Sequence, residues 1–157
     1  MQFILVETKE NIKKIAKMSK TIWNEAYKNI LSQDQIDYML ETFLNKEAIK
    51  NQINDGYQYY LIKDDKNCGF ASIKIEQKVF LSKFYIFEDY RNKGLLKQFI
   101  YKLKDYQKDI YLTVNKHNLK AIESYKKLGF KSIDEVVTDI GCGYVMDDYV
   151  MELSYEL

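Results

Sequence analysis

Two segments of the sequence combine charged, polar and glycine residues in an order suited to anion binding and proton transfer. The first spans residues 81–96, where an apolar run leads through a charged loop to Gly94 and a second apolar run. Amide groups at a helix N-terminus bind anions, and glycine lets the backbone approach a phosphate closely. Arg91 and Lys93 add positive charge beside that point. The pattern predicts a phosphate-binding loop, although many ordinary connections also consist of a strand, a loop with one glycine and a helix.

The second segment, residues 112–130, places a tyrosine at a fixed distance from polar and turn residues. Asn118 precedes a helical pattern, Tyr125 follows seven residues later, and Gly129 and Phe130 close the helix. A phenol with a pKa near 10 is protonated at neutral pH and can donate to a leaving thiolate. Packing of an aromatic ring on a helix is the alternative for any one of the 14 tyrosines, and Asn118 also suits a plain helix N-cap.

Together the two segments resemble the acetyl-CoA-binding core of the Gcn5-related N-acetyltransferase (GNAT) superfamily. The first is similar to its Arg/Gln-x-x-Gly-x-Gly/Ala loop, and the second to its Asn-x-x-Ala-x-x-x-Tyr-x-x-x-Gly-Phe signature. Trp23, Tyr27, residues 30–32 and Gln35 resemble the substrate-side helices of the family, so the resemblance covers nearly the whole chain. It implies an enzyme that moves an acetyl group from acetyl-CoA to a primary amine by direct transfer in a ternary complex. A catalytically silent acetyl-CoA sensor or assembly module of the same fold is the alternative.

The resemblance also implies roles for individual residues. The backbone of residues 84–86 would pair with the pantetheine arm, the loop at residues 91–96 would hold the pyrophosphate, and Tyr125 would stand beside the thioester sulfur. Leu96 departs from the family, which has Gly or Ala there, so its side chain must point away into the core. The implied cofactor-binding residues are Phe84, Tyr85, Ile86, Arg91, Asn92, Lys93, Gly94, Leu95, Leu96, Asn118 and Tyr125, with Tyr125 as the catalytic residue.

The acceptor side is less well defined by the sequence. A free alkylamine has a pKa near 10.4 and must lose a proton before it attacks. No general base stands out: Glu88, the C-terminal aspartates and an ordered water chain all remain candidates. For Trp23 the helical spacing favours core packing over substrate contact. The candidate acceptor-binding residues are Trp23, Tyr27, Glu88, Tyr144, Asp147 and Asp148.

Charge is distributed unevenly along the chain. Residues 132–157 contain seven acidic and no basic residues, whereas residues 88–131 contain eleven basic and five acidic ones. A basic region suits a polyanion such as coenzyme A, and an acidic region suits a small cationic amine such as a polyamine or an amino sugar. A protein amine is the other candidate acceptor. Ordinary solvated surface charge explains the distribution about equally well.

Hydrophobic periodicity predicts the elements that must position these residues. Apolar spacing from Ile12 to Ile30 predicts a helix, Ser32 and Gln35 form a predicted reciprocal capping box for a second, and Asn45 caps a third. Three strands, a helix, a strand, a helix and two strands follow, and the step across residues 79–114 is predicted to be parallel and right-handed. The predicted strands are residues 2–6, 57–63, 68–76, 79–87, 110–114, 130–140 and 144–153.

With the resemblance, this order implies an α/β (α+β) fold. We expect a central mixed, mostly antiparallel, twisted sheet of about seven strands flanked by about four to five helices. We expect one N-acetyltransferase domain over residues 1–157, because no linker, repeat or low-complexity segment interrupts the chain.

Composition bounds the remaining function classes. A chain that is 46% hydrophobic and 30% charged, with a net charge of +1, is neither a typical disordered chain nor a strongly basic nucleic-acid binder. Cys68 and Cys142 lie far apart, and His117 has no companions, which predicts free thiols and no metal site. No apolar run reaches the roughly 18 residues of a membrane span, and no signal peptide is visible, so we expect a cytoplasmic protein without a membrane partner. Many members of the superfamily are homodimers, but no interface can be read from the sequence.

Overall fold

A computed structural model describes residues 1–156 of the chain. It contains five helices and seven strands within that range, together with two short 3₁₀ turns at Glu88–Tyr90 and Lys104–Tyr106. Most element boundaries lie within two residues of those predicted. In chain order the elements are β1 (Gln2–Leu5), α1 (Lys9–Tyr27), α2 (Gln33–Phe43), α3 (Lys46–Asn54), β2 (Tyr57–Lys63), β3 (Asn67–Ile75), β4 (Val79–Ile86), α4 (Leu95–Leu103), β5 (Ile110–Asn115), α5 (Leu119–Lys127), β6 (Lys131–Gly141) and β7 (Tyr144–Leu153).

Side-chain caps fix where the first three helices begin. The oxygens of Thr8, Ser32 and Asn45 each accept a hydrogen bond from the amide three residues later, which satisfies one of the free donors at a helix start. The reciprocal half of the predicted capping box is wrong, because Gln35 does not reach back to Ser32. Its side-chain amide donates instead to the Val145 carbonyl at 3.0 Å, which ties α2 to β7. Helix α1 also ends at Tyr27, one turn before the predicted Ile30.

The sheet has the strand order β1-β2-β3-β4-β5-β7-β6. All neighbouring strands pair antiparallel except β4 and β5, which are parallel. This confirms the predicted mixed, mostly antiparallel seven-stranded sheet and the predicted parallel step. A crossover through α4 makes that parallel step, because parallel neighbours cannot be joined by a tight hairpin.

The parallel pair β4 and β5 separates soon after it forms. Only two residue pairs join the strands, Val79 with Ile110 and Phe80 with Tyr111. Beyond them β5 pairs with β7 alone, and β4 pairs with β3 alone. A bulge in the β3–β4 pairing, opposite Ser72 and Ile73, bends β4 at the same level. Such bulges increase local twist and re-aim side chains, so the sheet opens between its fourth and fifth strands.

Two hydrophobic clusters hold the layers together. One packs α4 and α5 onto one face of the sheet around Phe99, Ile100 and Leu112. The other packs α1, α2 and α3 onto the opposite face around Ile15, Ile22 and further residues of β2 and β3. Side chains that alternate along β4 belong to different clusters, because successive residues of a strand face opposite sides of the sheet.

The state of the cysteines and two further features complete the description of the fold. Within residues 1–156, Cys68 is buried, Cys142 is exposed and both are free thiols. No helix in the described part of the chain is long and apolar enough to cross a membrane. No cluster of three or more metal-ligating side chains occurs among the same residues.

Candidate active site

A cavity of about 1500 Å³ opens where β4 and β5 separate. One wall comes from the loop before α4 and from α5, and the other comes from α1, α2 and α3. The structure brings most of the predicted site residues to this one cavity. Those that line it are Trp23, Tyr27, Phe84, Tyr85, Ile86, Glu88, Arg91, Asn92, Gly94, Leu95, Leu96, Asn118, Tyr125 and Asp148.

Three predicted site residues lie outside this lining. The Lys93 ammonium lies 5.0 Å from the centre of the Tyr90 ring. Tyr144 packs against Tyr38 of α2, with ring centroids 5.2 Å apart. Asp147 forms a salt bridge of 2.9 Å with Lys116. The structure therefore does not bring these three together with the others.

The loop before α4 and the first turn of α4 line the cavity. Asn92 and Gly94 both adopt left-handed backbone conformations, with φ of 63° and 78°. Helix α4 begins directly afterwards, and no side chain caps its first amides. Those amides have no partner inside the helix and carry the positive end of its dipole. A Cβ at Gly94 would meet nothing within 4 Å, so backbone conformation is what favours glycine there.

Positive side chains surround the same end of the cavity. Arg91, Lys97 and Lys120 line it, and none of the salt bridges within residues 1–156 involves them. Leu96 also lines the cavity, and its partly buried side chain packs against the α4–α5 cluster. The expected burial of this side chain in the core is therefore only partial, because Leu96 packs on the cluster and also faces the cavity.

The end of α5 fixes the position of Tyr125. The Phe130 amide donates to the Tyr125 carbonyl at 3.1 Å, and the Gly129 amide donates to the Lys126 carbonyl at 3.0 Å. With Gly129 at φ 102°, these two bonds form a Schellman motif. The rings of Tyr125 and Phe130 meet edge to face at 5.5 Å, which is the apolar contact that accompanies this motif. The sequence Tyr-x-x-x-Gly-Phe therefore ends helix α5 and at the same time fixes the orientation of the Tyr125 phenol.

Burial raises the pKa of Tyr125 well above its usual value near 10. Its hydroxyl forms no hydrogen bond with any other residue in the range 1–156. A protonated phenol without a protein partner is available to donate to a ligand. At the other end of α5, the Asn118 side chain accepts from the Ala121 amide at 3.3 Å, so Asn118 is a helix N-cap as well as part of the cavity wall.

Three aromatic side chains form the wall on the α1 side. The rings of Trp23 and Tyr27 lie 4.8 Å apart, and that of Trp23 lies 5.3 Å from Tyr85. The hydroxyls of Tyr27 and Tyr85 are hydrogen-bonded at 2.9 Å. Trp23 is 4% exposed and belongs to the core around α1, as its helical spacing predicted. These rings give the cavity a rigid aromatic surface.

A buried carboxyl group stands beside these rings. Asp148 of β7 lies opposite Asn115 of β5 and is 7% exposed. Its Oδ1 atom has no hydrogen-bond partner within residues 1–156. Burial, with the Asp147 carboxylate as a smaller cause, raises the pKa of Asp148 to about 6. Carboxyl groups that accept protons in active sites often lie in a cleft and have a raised pKa.

Glu88 occupies a more open position at the rim of the cavity. It is exposed, and its backbone amide donates to the Glu25 side chain at 3.4 Å. The structure therefore separates the acidic candidates of the sequence by environment: Asp148 is buried in the cavity, Glu88 lies at its edge and Asp147 is bound to Lys116.

Sequence reasoning missed several charged residues of the cavity wall, among them Glu25, Lys97 and Lys120, and also Lys83 of β4. Lys83 lies two residues before Tyr85, and its Nζ donates to Gln52 of α3 at 3.3 Å. The available signal was a single charge inside the otherwise apolar and aromatic run of β4. Asn115 and Thr113 of β5 also line the cavity. Asn115 had suggested a cofactor contact by its place at the end of the strand, whereas nothing in the sequence singled out Thr113.

Comparison with known proteins agrees with this architecture. A family model described as an acetyltransferase (GNAT) domain matches residues 17–152. A PaiA N-acetyltransferase from Thermoplasma acidophilum, solved in complex with coenzyme A, is 23% identical with a TM-score of 0.79, covering 99% of this chain and 100% of that one. A GCN5-related N-acetyltransferase from Rhodopseudomonas palustris is 14% identical with a TM-score of 0.77, covering 98% and 94%. A chimera of spermidine N-acetyltransferase SpeG from Vibrio cholerae and hSSAT is 19% identical with a TM-score of 0.66, covering 99% and 95%.

Proposed function

The chain belongs to the GNAT acetyltransferase family, and we propose that it transfers an acetyl group from acetyl-CoA directly to a primary amine bound in the same cavity. The observation that carries this proposal is the opening between β4 and β5. It places the unpaired backbone of two strands, a free helix N-terminus, a protonated phenol and a buried carboxyl group around one space.

The residues of the cavity fit acetyl-CoA. The amides at the start of α4, with Arg91 and Lys97 nearby, would bind the pyrophosphate, because positive charge and free N–H groups meet there. The free edges of β4 and β5 offer hydrogen-bonding groups to the amide-containing pantetheine arm. When bound, acetyl-CoA supplies an activated acyl thioester. Among the β4 residues, Phe84, Tyr85 and Ile86 are those we propose to hold that arm.

Asp148 is the residue that we propose as the proton acceptor. With a pKa of about 6 it is ionised at neutral pH and can take the proton of a bound ammonium group. The usual amine pKa near 10.4 leaves a gap of about 4 units, or roughly 6 kcal/mol. Burial of the amine beside Trp23 and Tyr27 would narrow the gap, since desolvation lowers an ammonium pKa.

Tyr125 is proposed to donate to the leaving sulfur. A thiol has a pKa near 8.5, whereas burial holds the phenol far above 10. Complete transfer of the phenolic proton to the thiolate is therefore unfavourable, and a strong hydrogen bond to the sulfur is the better description of what Tyr125 contributes. This refines the role of a proton-donating acid that the resemblance implies.

The acceptor is proposed to be a small primary amine or a protein amine. Asp148, Glu88 and Glu25 place carboxylates in or at the edge of the cavity, which attracts a cationic group. One structural neighbour is named as a spermidine N-acetyltransferase chimera, so a polyamine belongs in any first panel beside amino sugars, amino acids and short peptides.

The test is acetyl-CoA-dependent thiol release with that amine panel, together with melting temperatures measured with and without acetyl-CoA. We expect stabilisation by acetyl-CoA and turnover with at least one amine. Stabilisation without turnover on any amine would favour the silent sensor or assembly module. No stabilisation at acetyl-CoA concentrations far above micromolar would contradict the cofactor site itself.

Two further expectations about organisation remain proposals. We propose that residues 1–157 act as one catalytic domain.

We also propose a homodimer formed through β6, an edge strand that is exposed along nearly its whole length. Ile133 and Val137 on β6 and Val145 on β7 are at least half exposed, although β6 also carries Asp134, Glu135 and Asp139, and an unpaired strand edge can pair with another strand. Light scattering would show a monomer if this proposal is wrong.

A further inference from the structure

Lys83 has no role in the proposed transfer chemistry, yet it lines the same cavity. Its Nζ donates to Gln52 Oε1 and to Ser82 Oγ, both at 3.3 Å. The same ammonium lies 5.6 Å from the centre of the Tyr59 ring. None of the salt bridges formed by residues 1–156 involves Lys83. A cation in the wall of the acceptor side is thus held only by neutral groups.

Such an arrangement is costly unless an anion completes it. The Lys83 side chain is only partly exposed. An ammonium in that position loses much of its hydration, and two long hydrogen bonds to neutral oxygens replace it poorly. Burial accordingly lowers the pKa of Lys83 to about 8. Lys116 shows the opposite behaviour, because hydrogen bonds to Glu135 and Asp147 raise its pKa above the usual value. An anion beside Lys83 would stabilise its charged form, as the carboxylates of Glu135 and Asp147 stabilise that of Lys116.

We propose that Lys83 binds an anionic group of the acceptor, so that the substrate is a small amine that also carries a carboxylate or a phosphate. This inference rests on the proposed acetyl transfer and narrows its acceptor. It excludes simple polyamines as preferred substrates, because an ammonium group placed against Lys83 would be repelled.

The position of Lys83 relative to Asp148 suits such an acceptor. Lys83 contacts α3. Tyr27 and Tyr85 pack in the cluster formed with α1, α2 and α3, and both lie within electrostatic range of Asp148. Strands β4 and β7 are two positions apart in the sheet, which corresponds to at least about 10 Å between backbones at ordinary strand spacing. Both side chains reach into the cavity between them. An amine held by Asp148 can therefore have its anion held by Lys83.

The test uses two pairs of acceptors that differ only in the anion: L-lysine with cadaverine, and O-phosphoethanolamine with ethanolamine. Each is titrated calorimetrically into the protein saturated with coenzyme A, and each is also assayed for acetylation. We expect the anion-bearing member of at least one pair to bind about tenfold more tightly or better, the size of one charge-assisted contact. The pair that shows this preference distinguishes a carboxylate from a phosphate.

Variants show whether Lys83 causes the preference. Lys83→Met removes the charge with little change in length and should abolish the preference, whereas Lys83→Arg should retain part of it. Lys74→Met is the matched control, since Lys74 also lies over a tyrosine ring, at 5.1 Å from Tyr57, but outside the cavity lining. Equal affinities within both pairs, no detectable binding by any of the four compounds, or a preference that survives Lys83→Met would overturn the anion site. Equal rates of acetylation within a pair would contradict the anion site and still support acetyl transfer. Absence of coenzyme A binding would contradict acetyl transfer itself.

Discussion

The two sides of the cavity present different chemical groups, backbone amides on one and individual side chains on the other. The side formed by α4, α5 and the loop between β4 and α4 uses backbone amides, two left-handed loop residues and exposed cations. The side formed by α1, α3, β4 and β7 uses individual side chains, notably the buried Asp148 and Trp23 and the partly exposed Lys83. The first can hold a ligand by its repeating polar groups, and the second selects a ligand by individual charges. Substitutions should accordingly change the cosubstrate affinity on one side and the catalytic rate or acceptor choice on the other.

The largest effect is expected for the buried carboxyl group. Asp148→Asn should lower kcat by about 10²- to 10³-fold, because the proposed proton acceptor is lost. In the parent protein kcat should rise with pH through about 6 as Asp148 ionises beside Asp147, Tyr27 and Tyr85. This rise of kcat with pH should disappear in Asp148→Asn. The affinity for acetyl-CoA should stay within about twofold of the parent value, because Asp148 is distant from the proposed phosphate contacts.

Asp147→Asn is the informative partner for that variant. Asp147 is about half exposed and bonded to Lys116, so its loss should cost much less activity. A larger loss of activity in Asp147→Asn than in Asp148→Asn would mean that the wrong aspartate has been assigned.

Tyr125→Phe should have the next largest effect. Removing the hydroxyl should lower kcat by roughly 10- to 100-fold, the range for a hydrogen bond to a charged group, while acetyl-CoA affinity changes little. Steady-state kinetics and calorimetry separate the two effects. Tyr101→Phe on the exposed face of α4 is the control. Unchanged thiol release in Tyr125→Phe would remove Tyr125 from the reaction.

A glycine pair tests the cosubstrate side. Gly94→Ala and Gly143→Ala place a Cβ at φ 78° and φ 80°, and in both cases nothing lies within 4 Å of it. Both should therefore lose a similar stability of about 1 kcal/mol from left-handed strain alone. Only Gly94→Ala should also weaken acetyl-CoA binding, by about tenfold, because only Gly94 lies at the phosphate loop. Equal acetyl-CoA affinities in the two variants would contradict the placement of that loop.

The smallest predicted effect concerns stability. The folded-state pKa of Asp148 lies above its unfolded value, so its contribution to stability is fully present below about pH 3.8 and is lost as pH rises through about 6. Asp148→Asn should therefore increase the free energy of unfolding at pH 8 by on the order of 1 kcal/mol, a figure reduced for partial solvent screening. The difference should shrink when urea unfolding is repeated near pH 4. A variant that is less stable than the parent at pH 8 would show that the carboxylate is stabilised by contacts within the fold.

The cosubstrate side was largely predictable from the sequence because its determinants are local. A glycine before a helix, and an asparagine and a tyrosine at fixed distances from a helix stop, are contiguous in the chain, so spacing carries the geometry. The Schellman motif at Gly129 explains why the spacing between Tyr125 and Phe130 is so restrictive. The strand order was predictable for the same reason, since hydrophobic period and short connections leave few topologies.

The acceptor side was not predictable to the same depth because its residues meet only in three dimensions. Asp147 and Asp148 are adjacent in sequence, and only the alternation of β7 within the folded sheet places one in the cavity and the other in a salt bridge. Tyr144 looked equally suitable, but α2 covers it through Tyr38. Lys83 gave a weak signal in an apolar strand, and its lack of a carboxylate partner is visible only when α3 and β2 pack against it.

The two-residue junction between β4 and β5 has a consequence for folding cooperativity. It divides the sheet into a block of β1 to β4 and a block of β5 to β7, and few backbone hydrogen bonds transmit stability between them. Blocks of this kind can open separately, and native-state hydrogen exchange detects them as distinct cooperative units. A ligand that bonded to both strand edges would act as a missing strand segment, and its binding free energy would be added to both blocks at once. Acetyl-CoA would then merge two exchange units into one.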